Sequence, residues 1–324
     1  MDTDLLIRTL SSVLAQSTPL IFAGIGETIT EKAGVINLSL DGTILLSAMG
    51  GFAVAYLTGN VILGFLAAMV IGAFVALIIA FASITLRQDQ VAVGFVLTLL
   101  CAELSSFFGN PFVRKPGPSV PHLPIPVLSN IPIVGKLFFD HNVVIYASFL
   151  LIIVAWFWIF KTQPGLRVQG VGERPEAAFA RGVNANRMRY LYTVLGGALV
   201  GAGGAAYSLS VKLGWSHRHT AGNGWIALAI VIFGGWHPVR VAFGAYLFGG
   251  LKSLGSILQR VIPGVPTQVF QAAPFALMIL ALLLVSSEAL DRALAYLPTR
   301  VRRVLAAALR GSPPAALGTT FVKE

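Results

Sequence analysis

The chain contains several long apolar runs separated by more polar segments. Four of them reach about the 20 residues that an α-helix needs to cross roughly 30 Å of hydrocarbon. They cover residues 62–86, 91–109, 143–160 and 188–212. None shows the two-residue alternation of a barrel strand, and a lipid-exposed backbone must satisfy its own hydrogen bonds. The pattern therefore predicts an all-α polytopic transmembrane bundle.

A longer apolar block at 224–258 contains its own interruption. The run Gly-Gly-Trp-His-Pro occupies 234–238, and a proline after two glycines breaks a helix. The first piece, 224–233, is only about 15 Å long at 1.5 Å per residue, too short to span alone. We expect a discontinuous or re-entrant helix, of the kind that lines the polar pathway of a transporter.

A second candidate broken helix lies near the N-terminus. The stretch 31–42 places Asn37 and Asp41 at the start of an apolar run that ends near residue 57. Their four-residue spacing puts both on one helix face, so they are candidates for lining the pathway. Whether the N-terminus lies inside or outside depends on whether 34–57 crosses once or is split.

Other acidic residues lie within or beside the apolar runs, where a charge facing lipid is costly. Glu27 and Glu31 are four apart, with Lys32 adjacent. An ion-pair cluster at the membrane edge is favoured for them over contact with a solute. Glu103 is expected near the external end of its span, bonded to a neighbouring helix or facing the pathway.

Three aromatic residues, Trp225, Phe233 and Trp236, flank the broken helix. Aromatic faces there would suit stacking on a base or sugar ring. The competing interpretation, which we favour, is that the tryptophans mark a membrane interface.

Composition supports a membrane protein. Hydrophobic residues make up 56% of the chain and charged residues 11%, against roughly 25% charged in soluble domains. The net charge is +10, but basic residues cluster at 161–189 and in the tail at 287–324, so the positive-inside rule places both in the cytoplasm. The positive charge thus gives no reason to expect a nucleic acid partner.

Topology follows from this charge pattern. Two cytoplasmic segments need an even number of crossings between them, but only three apolar blocks lie there, at 188–212, 224–258 and 268–286. Splitting the 224–258 block restores an even number. We expect one transmembrane domain over residues 1–324, with about 8 to 10 membrane segments. The loop at 110–141 is then external, and its seven prolines favour an ordered cap. Cys101 is the only cysteine, which excludes intrachain disulfides.

The segment 170–182 has the caps of a short helix. Pro175 suits the first helical position, where its missing N–H costs nothing. Glu176 suits the first turn, where the helix dipole favours negative charge, and Gly182 suits the left-handed position after the last turn. These features are typical of a short helix that docks against a partner protein. The alternative is a solvated helix that only connects two spans.

This segment carries a family resemblance. Residues 176–182, Glu-Ala-Ala-Phe-Ala-Arg-Gly, resemble the EAAxxxG pattern of ABC importer permeases, whose coupling helix contacts the ATPase. Stretches 26–38, 170–178 and 224–238 are similar to the sugar, nucleoside and branched-chain amino acid branch, and most closely to nucleoside permeases. The usual downstream proline is missing from 184–191, and Asp41 stands where many relatives carry glutamate. The resemblance implies a coupling helix built from Glu173, Pro175, Glu176, Ala177, Ala178 and Gly182.

The resemblance also implies partners. The nearest approach to a phosphate loop, 249–253, lacks the required Gly-Lys pair, so we expect no enzyme activity in this chain and ATP hydrolysis by a separate ABC ATP-binding subunit. A second homologous permease and an extracytoplasmic substrate-binding lipoprotein would complete an importer in the bacterial plasma (inner) membrane. No cofactor or metal is expected in this chain.

The expected solute is a nucleoside or a related small polar molecule. Alternatives are a permease for ribose-type sugars or branched-chain amino acids, an ion-coupled secondary transporter using Asp41, Glu27 and Glu103, and a membrane scaffold in which 173–182 only docks a partner.

Overall fold

The computed structural model describes residues 3–262, residues 311–321 and isolated positions between 264 and 298. Most of the apolar block predicted at 268–286, and the tail from 299 to 310, fall outside the described residues. Within them, regular structure is helical apart from one isolated bridge between His122 and Asn142.

The helices follow one another through short connections. In chain order they are α1 (Thr3–Lys32), α2 (Leu40–Thr58), α3 (Val61–Ala80), α4 (Gln90–Gly109), α5 (Val134–Phe138), α6 (Val143–Lys161), α7 (Gln163–Glu173), α8 (Pro175–Ala180), α9 (Ala185–Ala206), α10 (Asn223–Phe233) and α11 (Pro238–Val261). Helices α3 and α9 each continue into a π-helical turn, Phe81–Thr85 and Tyr207–Val211.

Six of these helices are long and apolar enough to cross a membrane: α2, α3, α4, α6, α9 and α11. Many of their large apolar side chains are exposed, as expected for surfaces that face lipid. The chain is therefore an all-α polytopic bundle, as the apolar runs predict.

Helix α9 lies at the centre of the bundle because its glycines allow close approach. A Cβ atom added at Gly197 or Gly201 would collide with α3, and one at Gly72 would collide with α9. Gly26 of α1 and Gly196 of α9 face each other in the same way. Small residues at such crossings bring helix backbones together, which is how helices associate inside a membrane.

The second predicted break, at 31–42, is wrong as a split within one helix. It is the connection between α1 and α2, and α2 runs unbroken from its first residue to its last. Gly34, with φ of +92°, ends α1 in the left-handed region. Two side chains of α4 then satisfy the extended backbone: Gln90 accepts from the Ile36 N–H at 2.8 Å, and Thr98 donates to the Leu38 carbonyl at 2.7 Å.

The proline-rich loop at 110–141 is ordered by backbone hydrogen bonds. Leu123 and Ile125 donate to the carbonyls of His141 and Phe139, at 3.0 and 2.9 Å. Val120 donates to Leu209, so the loop is fastened to the end of α9 as well. The expectation of an ordered structure is met.

Candidate functional site

The predicted helix break is present between α10 and α11. Helix α10 ends at Phe233, and α11 begins at Pro238. Gly235 and Trp236 between them have φ angles of +56° and +54°. Tryptophan rarely adopts this left-handed conformation, which persists only where its surroundings fix it.

An acidic residue fixes Trp236. Its side chain is buried, and its indole N–H donates to the carboxylate of Glu31 in α1. A buried indole N–H needs an acceptor, and a buried carboxylate needs a donor. The C-terminal side of the broken helix is thereby fastened to α1 by a single pair that satisfies both groups.

A second acidic residue holds the other end of α10. Gly222 precedes the helix with φ of +86°, and the Gly224 N–H donates to Oδ1 of Asp41 at 2.9 Å. The helix dipole favours a carboxylate at this end. Gly224 has to be glycine because a Cβ there would collide with the backbone of Asp41.

A buried polar network connects these two anchors. Oε1 of Glu27 accepts from the Asn37 N–H at 3.1 Å, and the carboxyl of Glu27 lies beside that of Glu31. The Asn37 side chain accepts from the backbone N–H and the hydroxyl of Ser39, at 3.0 and 2.6 Å. Asn37 therefore shapes the turn between α1 and α2. The ion-pair cluster expected with Lys32 is not formed by the described residues: the donors to these carboxylates are the backbone N–H of Asn37 and the indole N–H of Trp236.

A cavity of about 700 Å³ opens beside the N-terminal end of α10. Its polar lining includes Gln16, Lys212, His219, Asn223 and Lys252, and none of the described residues that line it is acidic. Two phenylalanines of the lining, Phe248 and Phe275, meet edge to face with ring centroids 6.0 Å apart. The cavity combines an aromatic wall with hydrogen-bonding groups.

The aromatic platform expected from Trp225, Phe233 and Trp236 is not assembled. Trp225 is 39% exposed on the outside of α10, Phe233 is half-buried, and Trp236 binds Glu31. Residues 225 and 233 are eight apart, about 12 Å along a helix, so their rings cannot share one ligand face.

Sequence reasoning missed the aromatic residues of the cavity and its polar residues on α1 and α11. Gln16 and Lys252 stand within largely apolar helices, and that is the signal that could have found them, because a polar group there needs a cavity or a partner.

Two polar groups, Glu103 and His219, have states that bear on the pathway. Glu103 forms an ion pair with Arg218 at an exposed position, which removes it from the candidates for the pathway. Burial lowers the pKa of His219 to about 4, so this cavity residue is neutral near pH 7.

The segment 170–182 consists of two helices. Helix α7 continues to Glu173, and α8 begins at Pro175 after an extended Arg174. Pro175 takes the first helical position, and Gly182 follows α8 with φ of +82°. The short helix predicted from these caps is therefore present as α8, and α7, which ends just before the proline, is an additional helix that was not predicted.

Most of α8 is available to a partner. Glu176, Ala177 and Gly182 are exposed, and Ala178 is half-buried. Pro175 is buried beneath them, while the Glu173 carboxylate accepts from the Ala315 N–H at 3.2 Å. The six residues predicted for coupling thus divide into an exposed face and a supporting base.

Comparisons with known proteins identify the class. Residues 9–282 match the family described as branched-chain amino acid transport system / permease component. The chain is 40% identical over 249 residues to a putative glucose ABC transporter permease of Haloferax volcanii, covering 76% of each protein. It is 35% identical over 288 residues to the guanosine ABC transporter permease NupQ of Bacillus subtilis, covering 84% of this chain and 89% of the relative.

A third relative, the nucleoside ABC transporter permease NupC of Lactococcus lactis, is 33% identical over 294 residues, which cover 86% of this chain and 92% of the relative. No solved structure matches the chain. Because the family match and these relatives each cover most of its length, the chain belongs to the branched-chain amino acid transport system permease family and is a multi-pass ABC transporter permease, a transport component with no enzymatic role.

Proposed function

We propose that this permease imports nucleosides, or a closely related small polar solute, into the cytoplasm. The observation that carries the proposal is the cavity beside α10, which joins the ring pair of Phe248 and Phe275 to a set of hydrogen-bonding side chains. An aromatic wall suits a base or a sugar ring. Relatives named for guanosine and nucleoside transport support the same class.

The cavity also bears on the alternatives. A branched-chain amino acid brings an ammonium group, which inside a membrane protein needs a carboxylate or several acceptors. None of the described lining residues is acidic, which disfavours amino acids. Simple sugars, including ribose-type sugars, remain the second candidate because two relatives are named for glucose.

The half-helix α10 forms the inner end of this pathway. Asn223 and Ile226 of α10 line the cavity, and Asp41 holds the next N–H group of the helix. Transporters commonly place such half-helix ends at the solute site, where the positive end of the dipole faces polar groups. Asp41 is therefore proposed as a positioning residue below the solute, with Asn37 supporting the turn that presents it.

The position and the length of α1 suggest a topology. The last residues of α1 lie against Gly172, in the basic segment 161–189 that we place in the cytoplasm. Helix α1 has 30 residues, enough for one crossing, so the N-terminus is external and the 110–141 loop lies on the same side. The proposed total is nine segments in the plasma membrane of a bacterium. They are the six spans already named, together with α1, the half-helix α10 and the apolar block at 268–286. The basic tail at 287–324 follows them.

ATP would act through α8. Its exposed residues Glu176, Ala177 and Gly182 form a compact surface on the proposed cytoplasmic side, suited to an ABC ATP-binding subunit. The complete importer would contain a second homologous permease and an extracytoplasmic substrate-binding lipoprotein, as the family resemblance implies. Closure of the ATPase would move α8 and change access to the cavity.

A bulky charge on α8 should prevent this docking. Ala177→Arg places a guanidinium on an exposed alanine, where it cannot disturb the bundle but obstructs a closely fitted partner. We expect co-purification of the ATPase to be lost and ATP-driven uptake in vesicles to fall at least about tenfold, which is about 1.4 kcal/mol. Gln88→Arg, at an exposed turn outside the coupling segment, is the control and should leave both intact. Equal recovery of the ATPase with both variants would contradict a docking role for α8.

Asp41 should matter for its acceptor oxygen more than for its charge. Asp41→Asn keeps an oxygen for the Gly224 N–H, whereas Asp41→Ala leaves that buried donor unpaired, at a cost of about 1–3 kcal/mol. We expect uptake within a few fold of normal for the asparagine variant and at least about a tenfold loss for alanine. If both variants lose uptake equally, the charge itself is required and the positioning role is wrong.

Phe275 should contribute to recognition of a base. It lines the cavity and is 41% exposed, whereas its neighbour Phe248 is only 2% exposed. Stacking of a base on an aromatic side chain is worth about 1–3 kcal/mol, so Phe275→Leu should raise the KM for guanosine uptake roughly tenfold. Phe243→Leu replaces an exposed phenylalanine outside the cavity lining and serves as the control. Competition by unlabelled guanosine, ribose and leucine in the same assay identifies the preferred class. A KM unchanged by Phe275→Leu contradicts a stacking role.

A further inference from the structure

Residues 311–321, which we name the C-terminal strap, lie beyond the family match at 9–282 and yet dock against its core. Backbone hydrogen bonds attach the strap at two places. The Ala316 N–H donates to the Gly172 carbonyl of α7 at 2.9 Å, and the Gly318 N–H donates to the Gly34 carbonyl between α1 and α2 at 3.1 Å.

A buried arginine of α9 also holds the strap. Arg189 is only 2% exposed, and its guanidinium donates to the carbonyl of Thr319 at 2.8 Å and to that of Ala316 at 3.5 Å. A buried guanidinium is costly unless acceptors satisfy it. The strap supplies those acceptors, so the bundle contains a site built for this segment.

One end of the strap reaches the coupling helix. Phe321 is buried in a small apolar cluster with Val171 and Ala185, and Ala178 of α8 packs against that cluster. The rings of Phe321 and Phe179 lie 5.8 Å apart. A displacement of α8 would therefore press directly on the strap.

The other end reaches the helix break. Gly311 lies against the backbone of Gly235, so closely that a Cβ on either residue would collide with the other. Gly235 is next to Trp236, whose indole is fixed by Glu31. The strap thus contacts the coupling helix and the α10–α11 break, two parts that are far apart in the sequence.

We propose that the C-terminal strap is a mechanical tie that passes displacement of α8 to the break between α10 and α11. This inference rests on the proposed function, in which α8 receives the ATPase. The strap spans both parts through packed glycines, a buried arginine and an aromatic contact, so α8 and the break move together. Without it, ATP hydrolysis would continue while solute movement would fail.

The test compares ATP hydrolysis with solute uptake in vesicles containing the permease pair, the ATPase and the receptor. Gly311→Val blocks the contact with Gly235, and Ser312→Val at the exposed neighbouring position is its control. Phe321→Ala removes the contact with Phe179, and Thr320→Ala is the exposed control.

For Gly311→Val and Phe321→Ala we expect normal ATPase binding, hydrolysis within about twofold of normal, and uptake reduced at least about fivefold, so that more ATP is consumed per solute. Both controls should behave like the unaltered chain.

A chain ending at residue 310 extends the test and should show the same uncoupling. Any of three results would contradict the proposed role of the strap. Hydrolysis and uptake could fall equally, the strap variants alone could lose ATPase binding, or uptake could be unchanged in every strap variant. Failure of the unaltered chain to bind the ATPase would instead contradict the proposed function, which separates the two results. Monodisperse elution from a size-exclusion column shows that a variant is folded. If the shortened chain is not folded, the point variants Gly311→Val and Phe321→Ala test the proposed role of the strap.

Discussion

The structure depends on one constraint: inside a membrane, a backbone that leaves its helix must find hydrogen-bond partners within the protein. The break around α10 creates that demand at both ends of a short helix. Asp41 meets it at the N-terminal end by accepting from the Gly224 N–H. At the other end the N–H groups of Gly235 and Trp236 donate to carbonyls of α10 itself, and Glu31 holds the side chain of Trp236. Glu31 at the end of α1 and Asp41 at the start of α2 thus hold the two ends of α10, one on each side of the α1–α2 connection.

The same arrangement brings the working parts of a transporter together. The cavity lies beside the N-terminal end of α10, and the break at its other end lies against the C-terminal strap. The strap in turn contacts α8, the proposed docking surface for the ATPase. The break thus provides a place where force applied at one side could change access to the solute.

Much of the fold could be predicted because its signals are local. Apolar runs located α3, α4, α6 and α9 to within a few residues, and Gly-Gly-Trp-His-Pro located the break. Pro175 and Gly182 located α8 because each residue has a conformational preference of its own. Helix α7 was not predicted, because its 11 residues lie in the polar segment after an apolar run and carry no comparable local signal.

The site could be predicted only in part, since its pairings join distant residues. Asp41 meets Gly224 across 183 positions and Glu31 meets Trp236 across 205, and no local pattern encodes either contact. Asn37 and Asp41 were selected because polar residues beside apolar runs are rare, but they do not share a helix face: Asn37 lies in the connection before α2, and Asp41 lies in α2. Trp225, Phe233 and Trp236 were candidates because they flank the break in the sequence, whereas the aromatic residues that line the cavity, Phe248 and Phe275, lie further along the chain. The acceptors for Arg189 come from a tail segment 127 and 130 positions away.

The central claim is that the N-terminal end of α10 lies in the solute pathway. The most direct measurement is the rate at which a charged, membrane-impermeant thiol reagent modifies single cysteines introduced into α10 after Cys101→Ser has removed the native thiol. Asn223→Cys lies in the cavity lining, while Ile232→Cys lies on the 52% exposed outer face of the same helix. The account predicts that Asn223→Cys is modified and that guanosine slows the reaction, while Ile232→Cys is modified slowly and at a rate that guanosine does not change. An unreactive Asn223→Cys, or a rate at Asn223→Cys that guanosine leaves unchanged, would contradict it.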